Sequence, residues 1–220
     1  MTGGAREEGA YVREPRQERS RRTLDAIVRA ARDLLEEHAF DDLTVDRIVE
    51  RAGSSKGSFY ARFPDKRSLL RFLAEDEFGR ILDEWSRFLA PERWSDASLE
   101  TFASTLVERL VRIYRERGAE TRAFIREMRT GEDEAIRERG ARLNRHVHDR
   151  VVALAERWRE DIDHPEPRLA AGLGLVAVAA AARSAILYEE EGSNPGAVDD
   201  ATLARELTRM YLLYLGADPV

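Results

Sequence analysis

Apolar residues recur at three- and four-residue steps along most of the chain, which is the spacing that places them on one face of an α-helix. No segment alternates apolar and polar residues as a half-buried β-strand does. The pattern therefore predicts an all-α fold. Helices are predicted over residues 24–38, 44–52, 55–63, 65–88, 98–117, 120–130, 133–161, 169–188 and 203–214.

Caps and helix breakers divide residues 44–65 into short pieces. Thr44 is a good N-cap for a second helix, which stops at Gly53. A third, very short helix begins near Ser55 and is ended by Pro64, and Asp65 caps the long helix that follows. Helix, glycine-centred turn and short helix is the layout of a helix-turn-helix, whose second helix enters the DNA major groove.

The third helix has a face suited to a duplex. Phe59 and Phe63 lie about 40° apart on a helical wheel and point into a small core. Gly57 and Ala61 lie at the opposite pole, where a solvent-facing helix normally carries charge. Small residues there allow the backbone to approach a base edge or a phosphate closely, so this pole is the predicted DNA-reading ridge.

Polar side chains flank this ridge, and hydroxyl, phenol and ammonium groups all donate to phosphate oxygens. Each side chain alone is expected to be a solvated group, but their convergence on one surface favours DNA contact. The predicted contacts are Thr44, Ser55, Lys56, Gly57, Ser58, Tyr60, Ala61 and Lys66.

The apolar helix over residues 169–188 carries two separate stripes, and one stripe suffices for packing on the chain's own core. The second stripe favours a sister subunit, and the alternative is a helix buried centrally in one bundle. The last helix could share the interface through Leu203, Leu207, Met210, Tyr211 and Tyr214. The predicted interface residues are Leu169, Leu173, Val176, Ala180, Leu187, Leu203, Leu207 and Tyr211.

Composition narrows the classes of protein. The chain of 220 residues has no cysteine, which excludes disulfides, thiolate metal sites and thiol nucleophiles. Its net charge of -6 does not exclude a polyanionic partner, because a whole-chain sum hides how charge is distributed. The start lacks the apolar run of a secretory signal, and the charge-free stretch Leu169–Ala182 is shorter than the roughly 20 residues that span a bilayer. We expect a cytoplasmic protein without a membrane partner.

Rival site motifs are weak. Gly172, Gly174 and Ala177 fit a dinucleotide fingerprint, but no predicted strand precedes them, so close helix packing explains them better. His146 and His148 point about 200° apart on a helix and cannot easily hold one metal. Only scattered histidines and carboxylates remain for catalysis. We therefore expect neither an enzyme nor a metal or cofactor site.

The segment LTVDRIVERAGSSKGSFYARFPDKRSLL, residues 43–70, resembles the tetracycline-repressor-like (TetR) family of bacterial transcriptional regulators. The resemblance is strong over roughly residues 20–70. Two residues depart from the family pattern: Ser54 replaces the usual aliphatic residue, and Arg62 stands where histidine is common. We interpret Arg62 as an added phosphate contact.

The resemblance implies an all-α homodimer with an N-terminal three-helix DNA-binding head and a C-terminal body for effector binding and dimerisation. The expected division is a flexible basic tail over residues 1–20, a helix-turn-helix domain over 21–67 and a regulatory domain over 68–220. The expected function is a repressor bound to a palindromic operator in the nucleoid and released by a small molecule. The alternatives are an activator of the same family and a helical interaction module without DNA binding.

The body implied by the resemblance needs a small-molecule pocket. Arg183 is the charged residue in the apolar helix and needs an acidic partner there. A salt bridge within the core or across the dimer is favoured, and a clamp for an anionic effector is the alternative. The candidate pocket residues are Trp85, Phe102, Tyr114, Phe124, Met128, Asn144, Val147, Val151 and Arg183.

Overall fold

The computed structural model describes residues 18–38, 40–116, 124, 133–187 and 198–217. Within these ranges the regular structure is helical and no strand occurs, so the predicted all-α class is confirmed. Short 3-10 segments lie at Phe40–Asp42, Pro91–Trp94 and Glu156–Asp161. The α-helices are α1 (Glu18–Glu37), α2 (Val45–Arg51), α3 (Lys56–Tyr60), α4 (Lys66–Phe88), α5 (Leu99–Glu116), α6 (Glu134–Ala155), α7 (Pro167–Leu187) and α8 (Asp200–Leu215).

The chain divides into two compact units. The head is Met1–Phe78 with Ala123–Arg137, and the body is Gly79–Arg122 with Glu138–Val220. The first part of α4 thus belongs to the head, whereas the sequence placed the functional boundary at residues 67 and 68; that functional division stays a prediction. Most of the predicted tail, residues 1–17, and most of the predicted helix 120–130 lie outside the described residues.

The core of the head forms because each of its short helices buries one apolar stripe. Ile27 of α1, Ile48 of α2 and Phe59 of α3 are almost fully buried, and so is Phe63 after α3. The ring centroids of Phe59 and Phe63 are 5.5 Å apart. A five-residue helix has little stability of its own, so this packing fixes which face of α3 is turned inward.

Ion pairs tie other elements of the head together. Arg71 of α4 donates from Nε to Asp133 Oδ2 at 2.5 Å, and the carboxylate of Asp133 has no exposed surface. Arg32 of α1 donates to Asp76 of α4 at 2.7 Å. The first residues of α6 and the first half of α4 are therefore held within one compact unit.

The core of the body contains a row of aromatic rings. The ring centroids of Trp94 and Phe102 are 4.9 Å apart in an edge-on contact, and Phe102 stacks on Trp158 at the same distance. Along α5, Leu99, Phe102, Leu106 and Leu110 are buried, and Ile113 at the next apolar position is half-buried. Leu82 of α4, by contrast, is 37% exposed.

The predicted helix 133–161 is shorter than expected. α6 ends at Ala155, and a 3-10 segment follows in which Trp158 leaves helical geometry, with φ -109° and ψ 29°. The indole nitrogen of Trp158 donates to Ala97 O at 2.8 Å. This contact with a distant loop outweighs the helical periodicity that predicted a continuous helix.

α7, Pro167–Leu187, extends beyond the charge-free stretch Leu169–Ala182 at both ends. Its 21 residues are long and apolar enough to cross a membrane by length and composition, and in the described part of the chain it is the helix that meets this test. This is weak evidence for a membrane span, because α7 packs against α5 and α8, as a core helix does.

Candidate nucleic-acid interface

The turn between α2 and α3 depends on a glycine in the left-handed region. Gly53 has φ 58°, and a Cβ added there meets no atom within 4 Å, so conformation rather than space requires glycine. Ser54 N–H donates to Val49 O at 2.8 Å, and Gly53 N–H donates to Glu50 O at 3.1 Å. This pair of bonds is the Schellman motif, which ends α2 and turns the chain towards α3.

A hydroxyl cap begins each of α2 and α3, and the cap at Thr44 was predicted from the sequence. Thr44 Oγ1 accepts from Arg47 N–H at 3.3 Å, and Ser55 Oγ accepts from Ser58 N–H at 3.1 Å. Ser55 Oγ also donates to Ser58 Oγ at 3.1 Å. Thr44 and Ser55 are both exposed, and their extended backbone places them just outside the helices they cap.

The ridge predicted on α3 is exposed. Gly57 and Ala61 both face solvent, whereas Phe59 on the opposite side has no exposed surface. Tyr60 beside the ridge is 50% exposed. The expected orientation of the reading helix is therefore confirmed: its backbone is accessible along a line of minimal side chains.

Lys56 extends from the first turn of α3 to Asp46 of α2. Its ammonium lies 2.6 Å from the Asp46 carboxylate, and both side chains are mostly exposed. The hydrogen bond to Asp46, and then the charge of Asp46, raise the pKa of Lys56 above its usual value. Lys56 is therefore a charged, solvent-accessible group beside the ridge, as predicted.

Arg62, which is predicted to contact phosphate, is turned into the head in this structure. Only 8% of Arg62 is exposed. Its guanidinium donates to Ser58 O at 2.6 Å and to Ser20 O and Ser20 Oγ at 3.0 Å each. Arg62 thus joins α3 to the first turn of α1 through its two terminal nitrogens, Nη1 and Nη2.

The prediction of a phosphate contact by Lys66 also needs correction. Its ammonium donates to Phe40 O at 3.0 Å and to Leu43 O at 2.8 Å, and it lies 4.5 Å from the centroid of the Phe40 ring. These contacts turn the cation inward onto the segment between α1 and α2. Lys66 therefore holds the start of α4 against that segment.

Asp65 caps α4 as predicted. Its Oδ1 accepts from Ser68 N–H at 2.6 Å and from Ser68 Oγ at 2.8 Å. These hydrogen bonds, more than the nearby arginines, hold the pKa of Asp65 below its usual value. The cap stabilises the helix while the carboxylate is ionised and is weakened when acid protonates it.

The candidate effector residues are divided between the two compact units. Phe124 lies in the head with its ring centroid 5.8 Å from that of Phe78, whereas Phe102 in the body has an aromatic ring on each side. Trp85 and Val151 are buried, Val147 and Tyr114 are half-buried, and Asn144 is exposed. Met128 lies outside the described residues. The effector pocket therefore stays a prediction.

Arg183 does not form the favoured salt bridge within the core. It is half-buried, and among the described residues no carboxylate is within ion-pair distance of it. The charged groove between α5 and α8, about 910 Å³ in volume, does not include it either. That groove is lined by side chains of both signs, including the Arg115–Asp200 pair at 2.7 Å.

The structure shows which of the predicted interface residues on α7 and α8 are exposed. Leu169, Leu173 and Val176 are each at least half exposed, and Ala180 and Leu203 are half-buried. The assignment of the other interface residues is wrong, because their own unit already buries them: these are Leu187, Leu207 and Tyr211. Tyr211 donates from its hydroxyl to Ala171 O at 2.9 Å, which explains why it faces inward.

α8 adds residues to the exposed side. Met210 and Leu213 are each 55% exposed and Tyr214 is 39% exposed. A Cβ added at Gly174 would lie 3.2 Å from the Tyr214 ring, so this part of α8 lies against α7. Leu213 was not among the predicted interface residues, although its spacing from Met210 and Tyr214 places it on their face. The exposed apolar face is defined as Leu169, Leu173, Val176, Met210, Leu213 and Tyr214.

A capped α2, a glycine turn and an α3 with an exposed ridge define a helix-turn-helix protein, the class in which a short helix reads DNA. Residues 27–72 match the family described as bacterial regulatory proteins, tetR family. This segment lies within the head, so the helix-turn-helix part of the chain is similar to that family of regulators.

Similar proteins extend the comparison. The chain is 37% identical over 73 residues to the tetracycline repressor protein class A from transposon 1721 of Escherichia coli, a match covering 30% of this chain and 34% of that relative. The chain thus matches about a third of that curated relative's length.

Solved structures show the same fold over most of the chain. A tetR-family regulatory protein from Rhodococcus RHA1 has a TM-score of 0.69 at 16% identity and covers 90% of this chain and 98% of its own. The regulator FadR from Bacillus subtilis, solved with stearoyl-CoA, has a TM-score of 0.62 at 12% identity and covers 89% of this chain and 100% of its own.

Proposed function

We propose that this regulator is a repressor that binds a palindromic operator as a homodimer and is released by a small-molecule effector. The observation that carries the proposal is the exposed Gly57 and Ala61 ridge on α3 above two fully buried phenylalanines. Small residues on this surface allow the backbone of α3 to enter a DNA groove. A helix that faces only solvent does not need small residues there.

The groups around the ridge fit a phosphate backbone. Thr44 and Ser55 present hydroxyls at helix starts, and the phenol of Tyr60 is half exposed. Lys56 supplies a cation that exchanges Asp46 for a phosphate on binding. Arg62 supports this surface from within, because it joins Ser58 of α3 to Ser20 of α1.

The exposed apolar face on α7 and α8 supports dimerisation. Its six side chains come from two helices that pack on each other, and contiguous apolar patches are uncommon on soluble monomers. A second copy of the same face is its proposed partner. A two-fold axis then presents two α3 helices to two half-sites of opposite orientation, which predicts a palindromic operator.

Effector binding is proposed to act in the body by favouring a conformation with lower operator affinity. Such coupling is commonly worth about 1–3 kcal/mol. FadR from Bacillus subtilis, with its stearoyl-CoA, shows that this fold accommodates a small molecule in that protein. We place the protein in the cytoplasm, bound to the nucleoid.

The experiment is selection of a binding site from a random duplex library, followed by fluorescence anisotropy with the selected duplex. Ala61→Glu puts a carboxylate on the ridge, and we expect operator affinity to fall by about 100-fold or more, since each tenfold corresponds to about 1.4 kcal/mol. Ala153→Glu is the matched control, because Ala153 is an exposed alanine of α6. We expect the control to bind like the wild type.

Two results would contradict the proposal. If the wild type binds no duplex at low ionic strength, the chain acts as a helical interaction module instead. If Ala61→Glu and Ala153→Glu bind equally well, α3 is not the reading helix. Circular dichroism of both variants checks that the helical fold is retained.

A further inference from the structure

Arg47 is an exposed arginine in the first turn of α2, and its guanidinium contacts an imidazole. Its Nη2 lies 2.8 Å from Nε2 of His38, the residue that follows α1. A guanidinium has donors and no acceptor, so the imidazole nitrogen accepts this hydrogen bond and carries no proton. Arg47 is therefore fixed in direction by a neutral group, through one of its five N–H donors.

Arg47 differs from the next arginine of α2 in what surrounds its charge. Arg51, one helical turn further along, lies 3.4 Å from the carboxylate of Glu37. The same carboxylate lies 3.8 Å from His38 Nε2, which is beyond hydrogen-bond distance. Among the described residues, no carboxylate lies within ion-pair distance of the Arg47 guanidinium. A carboxylate would compete with a phosphate for this cation, whereas the imidazole only directs it.

Arg47 shares its helical turn with Thr44, a predicted phosphate contact. The Arg47 N–H donates to Thr44 Oγ1 at 3.3 Å, and this bond caps α2. The cap uses the hydroxyl oxygen as an acceptor and leaves the hydroxyl proton to donate to a ligand. Residues three positions apart are neighbours on a helix surface, so the hydroxyl and the guanidinium are presented on one side of α2.

The place of this turn in the helix-turn-helix selects phosphate over base edges. The first helix of such a motif crosses the DNA backbone, while the second lies in the major groove. α2 is the first helix here, and Asp46 beside Arg47 lies 2.6 Å from Lys56 at the start of α3. Successive residues of a helix point about 100° apart, so Arg47 and Lys56 occupy different sides of this turn. A guanidinium binds two phosphate oxygens through parallel hydrogen bonds, which suits Arg47 to the backbone.

We propose that Arg47 is a further phosphate contact of the DNA interface, that Thr44 donates to the same phosphate, and that His38 is a positioning residue for Arg47. The proposal rests on the proposed function, since it supposes that α2 and α3 bind DNA. His38 does not touch DNA. It increases affinity because the guanidinium is already directed and gives up less freedom on binding.

The test uses the purified full chain, the selected operator and an unrelated duplex of the same length. Loss of a phosphate contact removes counterion release, so the slope of log affinity against log salt should become shallower by about 0.9 for each protomer in Arg47→Gln. We expect operator affinity to fall by at least about 10-fold at low salt, since both copies lose hydrogen bonds from a charged group. The unrelated duplex should lose as much, because every sequence has the same phosphates.

Arg51→Gln is the matched control, because Arg51 is an exposed arginine of the same helix that lies beside Glu37. Its salt slope should stay at the wild-type value. Urea unfolding of Arg47→Gln should stay close to the wild type, because the replaced side chain is exposed. This measurement separates a lost DNA contact from a lost fold.

Two substitutions of His38 test its positioning role. His38→Gln keeps an acceptor for Arg47 and should bind the operator like the wild type, whereas His38→Leu removes the acceptor and should bind several-fold more weakly. The salt slope of His38→Leu should not change, because Arg47 is still present. In the Arg47→Gln background, His38→Leu should cause no further loss, since a residue that acts only through Arg47 has no effect without it.

Three results would overturn the phosphate contact: an unchanged salt slope in Arg47→Gln, an equal change of slope in Arg51→Gln, or a loss of affinity confined to the selected operator, which would make Arg47 a base contact. Equal affinities of His38→Gln and His38→Leu would overturn the positioning role. Failure of the proposed function is distinguishable. A wild type that binds no duplex overturns both proposals, whereas a wild type that binds its operator and keeps its slope in Arg47→Gln overturns the Arg47 contact alone.

Discussion

The ridge on α3 and the exposed apolar face on α7 and α8 are both exposed to solvent, but their side chains are of opposite kinds. The ridge is bare because Gly57 and Ala61 have almost no side chain, and hydroxyls and a lysine surround it. The apolar face is bare although its leucines, valine, methionine and tyrosine are large. The first surface suits close backbone approach to a polyanion, and the second gains free energy only by leaving water.

The two surfaces are also supported differently. The ridge belongs to a five-residue helix that depends on the packing of Phe59 and on the contacts of Arg62. The apolar face lies on helices of 21 and 16 residues that pack together on their buried sides. Substitutions in the head should therefore affect the fold of the reading helix, whereas substitutions on the apolar face should affect association.

The largest effect is expected for Leu173→Glu on the apolar face. Two-fold symmetry would bury a glutamate from each copy, and each buried ion costs several kcal/mol without a partner. We expect a monomer in light scattering and operator affinity lower by about 100-fold or more, because the second head no longer binds in an intramolecular step. Leu82→Glu is the control, since Leu82 is an exposed leucine of α4.

Dimers of both variants with equal operator affinity would show that this face is not the interface. The fold of each monomer should persist in either case, because Leu173 is half exposed within one copy. Far-ultraviolet circular dichroism separates loss of association from loss of fold.

Arg62→Gln is the next largest change and acts inside the head. It removes a guanidinium that donates to Ser58 and Ser20, and hydrogen bonds from charged groups are worth about 1.5–3 kcal/mol each. We expect urea unfolding to show about 2–3 kcal/mol lower stability. Arg22→Gln is the control, because the Arg22–Glu18 pair is exposed on both sides and pairs of this kind contribute little.

The salt dependence of operator binding tests the same residue in a second way. If Arg62 acts only through α3 and α1, the slope of log affinity against log salt stays at the wild-type value in Arg62→Gln. A slope that is shallower by about 0.9 for each protomer would show that Arg62 contacts a phosphate, as the sequence predicted.

Local sequence signals predicted much of the head. Thr44, Gly53 and Ser55 act through bonds to residues a few positions away, so their roles were readable from spacing alone. The inward Phe59 and outward Ala61 follow from helical periodicity. For these features, the geometry of one turn or one helix decides the result.

The predictions failed mainly for long, flexible side chains. Arg62 finds Ser20, 42 residues away, and Lys66 finds Phe40, 26 residues away, and neither partner is visible from local spacing. The prediction of interface residues on α7 failed for a related reason. A helical wheel shows that α7 has two apolar sides, but it does not show which side packs against α5 and α8. Leu187 therefore proved to be buried although it shares a stripe with the exposed Leu169.

The two lysines of the chain give a sharper comparison within the head. Lys66→Met removes an ammonium that donates to two backbone carbonyls and lies over the Phe40 ring. We expect a loss of about 1–2 kcal/mol in urea unfolding, since two acceptors lose a charged donor. The salt slope of operator binding should not change, because this ammonium faces the protein.

Lys56→Met should give the reverse result and is the control for Lys66→Met. Lys56 is exposed beside the ridge, and its ion pair with Asp46 is exposed too, so unfolding should stay close to the wild type. Each Lys56 that contacts a phosphate releases counterions, so the salt slope of the dimer should become shallower by about 1.8, or 0.9 for each copy. If Lys66→Met lowers the slope instead and Lys56→Met does not, Lys66 leaves its carbonyls when DNA is bound, and the inward position is a property of the free protein alone.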